Sequence, residues 1–472
     1  MNKEVRMQKI QEVIDSNKNR TDLLNHEIMW ERQLKTEKVY NIPLSYLIYN
    51  KYNGRILSRT KSLEKQNQII DVETEEGRNL IEKLLWDSKV DRNKKTEQSI
   101  RDFGQQKVGI ITKDGVIIDG NRRAMLLNKI DRLGTFKAIV LPVTLEENPI
   151  EIERLETTYQ MGEDEKLGYN PIEKYLKAKQ IFDKLTPEIT NTEAIKSISD
   201  WMGEKESEIK KYLDTMAVMD EYLEYLEYDG IYTQLDSRED QFLSLTKWLN
   251  NFYGETSKKA FDGYSDSDVD DLKSIAFDYL RFRNEYDGKE FRNLAEGNQD
   301  RHFFGDKDIW SSFSSKHNEI IQKLPEEPQV DFNSTNLEKH LNARDKLFFD
   351  SSKDENDISA FIENLNDHKY LVGYNKAADA PEKLLKRASQ TFDAIKTGHT
   401  SFSKPEIQNM VKEFGDKIYQ SLNQKSPSRV LSHIVELMEA IEIDEIPANE
   451  IQEVQEKTKR IQQIGYQINK SI

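Results

Sequence analysis

Apolar positions in the first third of the chain come in short runs separated by turn residues. The runs 108–112 and 115–118 flank a Lys-Asp pair, which is the pattern of a β-hairpin. A helical pattern then extends to about residue 133, and further strand-like runs cover 136–144 and 39–44. The pattern predicts a small mixed sheet in which a helix connects two of the strands.

Most of the remaining chain has helical periodicity. Residues 1–38 are charged throughout and carry only a thin apolar stripe, which predicts a helical arm. From residue 150 onward nearly every segment is helical in pattern, and one helix opens with the N-cap residue Asn170 followed by Pro171. The predicted fold class is α+β, with a small mixed α/β domain followed by a predominantly α-helical remainder.

Changes in pattern divide the chain into predicted segments. Pro325 and Pro328 in an acidic stretch indicate a linker. The apolar spacing of the last helix fits closure of a dimer and packing in a local bundle equally well. The segments are a helical arm at 1–38, an α/β domain at 39–160, a helical domain with a helix-turn-helix-like pattern at 161–225, a helical domain at 226–323, the linker at 324–335 and a helical C-terminal domain at 336–472.

The composition limits the chemistry. The formal net charge is -16, and a protein held on nucleic acid by bulk electrostatics is normally basic, so any DNA contact has to be local. The chain has no cysteine, which excludes disulfides, thiolate catalysis and Cys-ligated metals and indicates a cytoplasmic protein. No apolar run approaches the ~20 residues of a membrane span, and no secretory signal is visible, so no membrane partner is expected.

The segment 117–130 carries the most chemistry. An apolar run ends in Asp119 and Gly120, and a helical pattern that begins with Asn121, Arg122 and Arg123 follows at once. Glycine permits a positive φ and close approach of a ligand, a helix N-terminus offers free N–H groups, and arginine supplies a planar cation. The segment predicts a phosphate site. In the structural alternative, the glycine merely completes a strand-to-helix turn and the arginines are solvated.

Three segments occur in an order that resembles the N-terminal domain of the ParB partition family, which shares its fold with sulfiredoxin. The first is 42–55, which ends in Asn-Lys-Tyr-Asn-Gly-Arg, and the second is 99–108 leading into Asp-Gly-Asn-Arg-Arg at 119–123. The third is Asn-Pro-Ile-Glu at 170–173. The resemblance covers about residues 38–225 and implies a ParB/sulfiredoxin-like nucleotide-binding domain at 39–160.

In that family a Gly-x-Arg-Arg turn cradles the triphosphate of CTP, or of ATP in some relatives. The resemblance therefore implies CTP or ATP, with Mg²⁺, as the cofactors of this chain. The residues that it assigns to the nucleotide are Gly120, Asn121, Arg122 and Arg123, with Gly104 and Gln106 lining the pocket and Arg55 joining them.

The chain also departs from the family pattern. Sulfiredoxin needs a catalytic cysteine in this turn, where this chain has Asn121, so sulfiredoxin chemistry is excluded. The second nucleotide motif of partition proteins would fall in 160–169, where the register is ambiguous. Glu163 is the predicted metal ligand there and, together with Asp119, a predicted catalytic residue. Glu165 or Lys166 would serve as substitutes, and a solvated acidic loop is the structural alternative.

A helix-turn-helix-like pattern follows at 191–213, in which Ser199, Gly203 and Ile209 have the expected spacing. Partition proteins carry such a unit at this point. Glutamates between the lysines reduce the positive charge of this unit, so a purely structural role in helix packing fits equally well. The predicted nucleic-acid-binding residues are Lys205, Lys210 and Lys211.

These observations support three hypotheses about function. The first is a nucleotide-dependent switch that forms a homodimer and acts on DNA, in partition, mobile-element regulation or phage defence. The second is a Mg²⁺-dependent enzyme on the same fold, namely a nuclease, a nucleoside triphosphatase or a small-molecule kinase. The third is a scaffold that binds a protein partner and has a vestigial pocket, which the acidic charge and the long helical C-terminal half favour.

Overall fold

The computed structural model describes residues 1–472 except 67, 163–169, 253–256, 333–336, 348–358, 378–380, 424–425 and 444–445. The described chain forms two compact units, Met1–Asp379 and Ala380–Ile472. It is mostly helical with a small mixed sheet near the N-terminus, which agrees with the predicted α+β class. None of the helices in the described ranges combines the length and the apolar character that a bilayer crossing requires.

The described strands all lie in the first unit, and helices continue to the end of the chain. The strands are β1 Asn25–Trp30, β2 Gln33–Lys38, β3 Tyr40–Pro43, β4 Gly109–Ile111, β5 Ile117–Asp119 and β6 Thr135–Val140. The helices of the first unit are α1 Lys3–Ser16, α2 Leu57–Lys65, α3 Glu75–Ser88, α4 Val90–Phe103, α5 Asn121–Ile130, α6 Pro149–Thr157, α7 Pro171–Leu185, α8 Asn191–Met202, α9 Glu206–Tyr225, α10 Glu239–Phe252, α11 Asp266–Arg281, α12 Lys307–Ile321, α13 Leu337–Lys346 and α14 Ala360–Ala377. The helices of the second unit are α15 Pro381–Asp393, α16 Pro405–Asn423, α17 Pro427–Glu439 and α18 Ile451–Ser471.

The main sheet has the strand order β3-β6-β4-β5. Strands β4 and β5 form the predicted antiparallel hairpin, and α5 connects β5 to β6, which pairs with β4 in parallel. Strand β3 pairs with β6 in antiparallel fashion and forms the other edge. This topology places the end of β5 and the start of α5 beside the segment that leads into β4.

Both faces of the main sheet are buried. Ile110 and Ile118 pack on one face with the β1–β2 hairpin and α6, whereas Ile111 and Ile117 pack on the other face with α1, α3, α4 and α5. Because successive side chains of a strand point to opposite faces, a sheet that is covered twice requires consecutive apolar residues. Burial of the sheet on both faces therefore explains the short apolar runs in the sequence.

The predicted helical arm at 1–38 is right for α1 and wrong for 25–38, where β1 and β2 form a hairpin. Only Ile28 and Trp30 of β1 are buried, and they pack against the main sheet. The exposed positions of these strands are mostly polar, so the hairpin resembles a polar helix in sequence. Since Ile10 of α1 is also buried in the sheet core, residues 1–38 belong to the α/β domain.

The predicted boundaries in the helical region are also corrected. A single apolar core runs from Leu57 to Leu365, so 161–225 and 226–323 are not separate domains. Residues 324–332 of the linker predicted at 324–335 are attached to this core, because Glu327 pairs with Arg281 at 2.8 Å and Phe332 packs against the apolar cluster. Residues 333–335 lie outside the described residues. The boundary between the compact units lies instead between Asp379 and Ala380.

The second unit contains strongly amphipathic helices, yet none of its described side chains is buried. Met410, Leu431, Val435 and Ile468 are among its exposed large apolar residues. Exposed apolar residues that join into a contiguous patch usually mark an interaction surface, so these helices are candidates for one.

Candidate functional site

A cavity of about 200 Å³ lies where the end of α4, the turn between β5 and α5 and the segment 53–55 meet. It brings together every predicted cofactor-binding residue and Asp119. Glu163, the remaining predicted site residue of this region, lies outside the described residues. The predicted residues that line the cavity are Arg55, Gly104, Gln106, Asp119, Gly120, Asn121, Arg122 and Arg123.

The turn before α5 presents backbone N–H groups. Gly120 is the N-cap residue, with φ 105 and ψ 15, and as a glycine it has no side chain to cap the first turn of the helix. The first N–H groups of a helix have no partner within the helix, and the helix dipole adds positive potential there. Because Gly120 lines the cavity, the start of α5 offers an anion site.

The described lining of the cavity is mainly cationic. Among the described residues, four cationic side chains and one carboxylate, Asp119, line it, whereas the whole chain has a formal net charge of -16. Arg123 is held by Asp119 at 2.6 Å and by the carbonyl of Val108 at 3.2 Å. Its buried Nε has no hydrogen-bond partner among the described residues. The cations are Arg55, Lys107, Arg122 and Arg123.

The side chain of Asn121 is directed into the protein. Its Oδ1 accepts a hydrogen bond from the backbone N–H of Asn50 at 2.9 Å, and its Nδ2 donates to the carbonyl of Ile117 at 3.0 Å. Only 3% of Asn121 is exposed. Any contact of this residue with a phosphate therefore falls to its backbone N–H, and the side chain fixes the turn.

Sequence reasoning missed several cavity residues. The segment that carries the resemblance begins at residue 99, whereas α4 begins at Val90, so the positions one turn earlier were not considered. Residues three and four apart on a helix share a face, and this spacing would have identified Thr96 once the helix start was known. The missed lining residues are Asn53, Thr96, Ser99, Ile100, Gln105, Lys107 and Gln160.

A buried polar network connects the turn to the helical region. Asn50, whose N–H is bound by Asn121, donates through Nδ2 to Glu156 at 3.2 Å. Glu156 also accepts from Gln160 at 3.1 Å and pairs with Lys177 of α7 at 3.1 Å. Lys177 pairs at the same time with Glu153 at 2.5 Å. One path of hydrogen bonds therefore runs from the start of α5 to the middle of α7.

Burial and charge act against each other in this network. Burial raises the pKa of Glu156 and outweighs the nearby charge of Lys177. Burial also acts to raise the pKa of Glu153, but Lys177 and Lys184 together hold that pKa below its usual value. The two carboxylates in turn outweigh the burial of Lys177 and raise its pKa. Each ionisable group of the network has an opposite charge beside it, which opposes the effect of burial on its pKa.

Glu173 at the start of α7 is a second buried carboxyl. It accepts hydrogen bonds from the backbone N–H of Ser58 at 3.0 Å and from its hydroxyl at 2.6 Å. Burial nevertheless raises the pKa of Glu173 to about 7. A carboxyl whose pKa is raised on folding stabilises the protein below the unfolded pKa, and this contribution is lost as the pH rises through the folded value.

Glu173→Gln is therefore expected to flatten the pH dependence of stability. Between pH 5 and pH 8 the native chain should lose on the order of 2–3 kcal/mol of unfolding free energy through this group, and the variant should not. Denaturant unfolding of both proteins at the two pH values measures the difference. An identical pH dependence would show that Glu173 does not titrate in this range.

The predicted nucleic-acid residues lie at the start of α9. Lys205, Lys210 and Lys211 are exposed, and Gly203 forms a left-handed turn between α8 and α9 with φ 69. Lys211 is 3.6 Å from Glu208, so part of the positive charge is compensated. The two helices and the turn have the order that the helix-turn-helix pattern predicts.

No group of three or more His, Asp or Glu side chains among the described residues could hold a metal ion. Within the cavity, Asp119 is already paired with Arg123. Mg²⁺ prefers octahedral oxygen ligation and is commonly bound through one or two carboxylates and substrate phosphates. The lining therefore fits a phosphate-bearing ligand better than a bare metal ion.

Comparison with protein-family models, with curated proteins and with solved structures finds no match for this chain. The assignment of function therefore depends on the cavity and on the order of the sequence segments around it.

Proposed function

We propose that this protein is a nucleotide-dependent switch that binds CTP or ATP with the phosphates in the cavity at the start of α5. The observation that carries this proposal is the convergence, among the described residues, of four cationic side chains and a helix N-terminus with glycine at the N-cap on one cavity of an acidic chain. Phosphate groups are bound in this way by backbone N–H groups and by arginine. The resemblance of residues 38–225 to the ParB partition family supports the same ligand.

The metal would enter with the nucleotide. The phosphate oxygens supply most ligands of a bound Mg²⁺, and Asp119 is the carboxylate of the cavity that is placed to add one. Asp119 would first have to give up its hydrogen bond with Arg123 in order to bind the metal. A nucleoside triphosphatase is the second candidate function, and Asp119 is the lining residue that favours it.

The buried network supports a switch. A ligand that accepts hydrogen bonds from the first N–H groups of α5 acts on the turn between β5 and α5. This turn is fixed by the hydrogen bond between the N–H of Asn50 and the side chain of Asn121. Asn50 in turn contacts Glu156, which pairs with Lys177 of α7. Any movement of this turn is therefore transmitted to the helical region through groups that cannot be left unpaired at low cost.

Arg122→Ala is expected to weaken nucleotide binding by about 10- to 100-fold, because a charge-assisted bond to phosphate contributes about 1.5–3 kcal/mol. Calorimetric titration of CTP, ATP, GTP and UTP with Mg²⁺ into the native chain and the variant measures this effect. Phosphate release in the same samples separates hydrolysis from binding alone.

Arg101→Ala is the matched control for that titration. Arg101 lies on α4 close to the cavity in sequence, but it is exposed, pairs with Glu97 at 2.8 Å and does not line the cavity. Its replacement should leave affinity unchanged. Binding of no nucleotide by the native chain, or equal binding by Arg122→Ala, would reject the proposal and favour the scaffold hypothesis.

The proposed partners are a second copy of the chain and DNA. The second unit leaves apolar faces on its helices exposed, and a two-fold axis lets identical faces cover each other. The exposed lysines at the start of α9 are the proposed DNA contact, and the acidic chain makes that contact local.

Light scattering of the eluting protein should give twice the mass of one chain. Replacing Ile461 and Ile468 by lysine should shift the mass to that of one chain, because charge on an apolar face opposes association. Duplex DNA added with the bound nucleotide should elute with the dimer and not with a Lys210→Glu, Lys211→Glu variant. A single-chain mass for the native protein would reject the dimer.

A further inference from the structure

Phe103, the last residue of α4, is a large apolar side chain that remains 71% exposed. The next residue, Gly104, has φ 68 and lines the cavity. A Cβ added at Gly104 would meet no atom within 4 Å, so open space lies beside the end of this helix. The side-chain amide of Gln106 donates to the carbonyl of Phe103 and fixes the chain there.

Phe103 continues the face of α4 that forms the cavity wall. Thr96, Ser99 and Ile100 line the cavity, and residues at spacings of three, four and seven share one face of a helix. A helical side chain leans toward the N-terminus and covers the turn before its own Cα. Phe103 lies outside the cavity lining itself, but this direction carries its exposed ring toward the turn of Ser99 and Ile100, which do line the cavity.

The cavity is too small for a whole nucleotide. Sites that enclose a drug-sized ligand measure roughly 300–1,000 Å³, whereas this cavity measures about 200 Å³. Its cationic lining and the helix N-terminus fit the phosphates. The nucleoside must then lie outside, against the residues of the mouth.

We propose that the Phe103 ring is the surface on which the nucleobase of the bound nucleotide stacks. This inference rests on the proposed function, because it needs the phosphates in the cavity. Every base has a π-face, so stacking on an aromatic ring tolerates any base. Phe103 therefore adds affinity for a nucleoside over bare phosphate, and the choice between bases is made elsewhere.

The test compares two ligands on the native chain and three variants. The affinities of the native chain, Phe103→Ala and Phe103→Trp are measured for the tightest-bound nucleoside triphosphate and for inorganic tripolyphosphate. Phe103→Ala should bind the nucleotide about tenfold more weakly, since stacking contributes about 1–3 kcal/mol per base, and should bind tripolyphosphate unchanged. Phe103→Trp should retain nucleotide affinity. Leu133→Ala removes another exposed apolar side chain, 94% exposed and outside the cavity lining, and should change neither affinity.

The outcomes separate the two proposals. Unchanged nucleotide affinity in Phe103→Ala overturns the stacking proposal and leaves the nucleotide site standing. An equal loss for both ligands also overturns it, because the ring would then only support the cavity wall. If the native chain binds neither ligand, both proposals fail together.

Discussion

Replacing Lys177 with methionine is expected to lower the free energy of unfolding by about 3–5 kcal/mol at pH 8, because breaking a buried ion pair leaves an uncompensated charge. Only 1% of the Lys177 side chain is exposed, and its partners Glu153 and Glu156 are 8% and 5% exposed. Methionine fills a similar volume, so the loss reports on charge and not on a cavity. All five tryptophans of the chain lie at or before residue 310, so their fluorescence follows unfolding of the first unit.

The effect should depend on pH with a defined sign. Without Lys177, the pKa of Glu156 rises further above its unfolded value, because burial is then opposed by less positive charge. A raised pKa costs stability only above the unfolded value near 4.3. The deficit of the variant should therefore shrink as the pH is lowered from 8 to 5.

Lys179→Met is the matched control, because Lys179 lies on the same helix but forms an exposed pair with Asp183 at 2.8 Å. An exposed pair contributes about 0–1 kcal/mol. Equal losses in the two variants would show that Lys177 does not hold the network together. A loss at Lys177 that also weakens nucleotide binding would support transmission along the path through Asn50.

Gly120→Ala should destabilise the first unit by about 3 kcal/mol. An alanine at φ 105 is strained, at about 1–3 kcal/mol. Its Cβ would also lie 2.7 Å from Cζ of Phe136. That ring is fully buried and also lies against Gly109, where an added Cβ would come within 2.2 Å of it. The ring is thus confined between two glycines and cannot move away at low cost.

Gly104→Ala separates strain from overlap. Gly104 lines the same cavity and has a positive φ of 68, but a Cβ there meets no atom within 4 Å. The control should therefore lose only about 1 kcal/mol for the backbone conformation. Denaturant unfolding followed by tryptophan fluorescence measures both variants. Equal losses would show that the Phe136 ring yields and that overlap does not determine stability at this turn.

Local patterns predicted the elements around the cavity well. The Lys-Asp pair between two apolar runs gave the β4–β5 hairpin, and Gly120 followed by a helical pattern gave the start of α5. Asn170 caps α7 as predicted, with its side chain accepting from the N–H of Ile172 at 3.1 Å. These features depend on the conformational preferences of a few neighbouring residues, so the local sequence contains them.

Features that depend on distant contacts were missed. The β1–β2 hairpin has mostly polar exposed positions and only two buried side chains in β1, so its apolar pattern is too sparse to indicate strands. The prolines at 325 and 328 suggested a linker, but Glu327 is held by Arg281. The packing of β1 on the main sheet and the pairing of Glu327 with Arg281 each join segments that are far apart in sequence. Neither contact follows from the spacing of residues along the chain.

The sequence by itself determined the α+β class, the turn at Gly120 and the set of residues expected around a phosphate, because backbone preference and side-chain chemistry are local properties. The tertiary structure decided that these residues share one cavity, that Asn121 turns inward, and that Lys177 joins the turn to α7. Those facts depend on which buried ions and amides find partners across the fold. Pairing of this kind is settled only when the whole chain is packed, since each buried polar group must be satisfied by whichever group lies beside it.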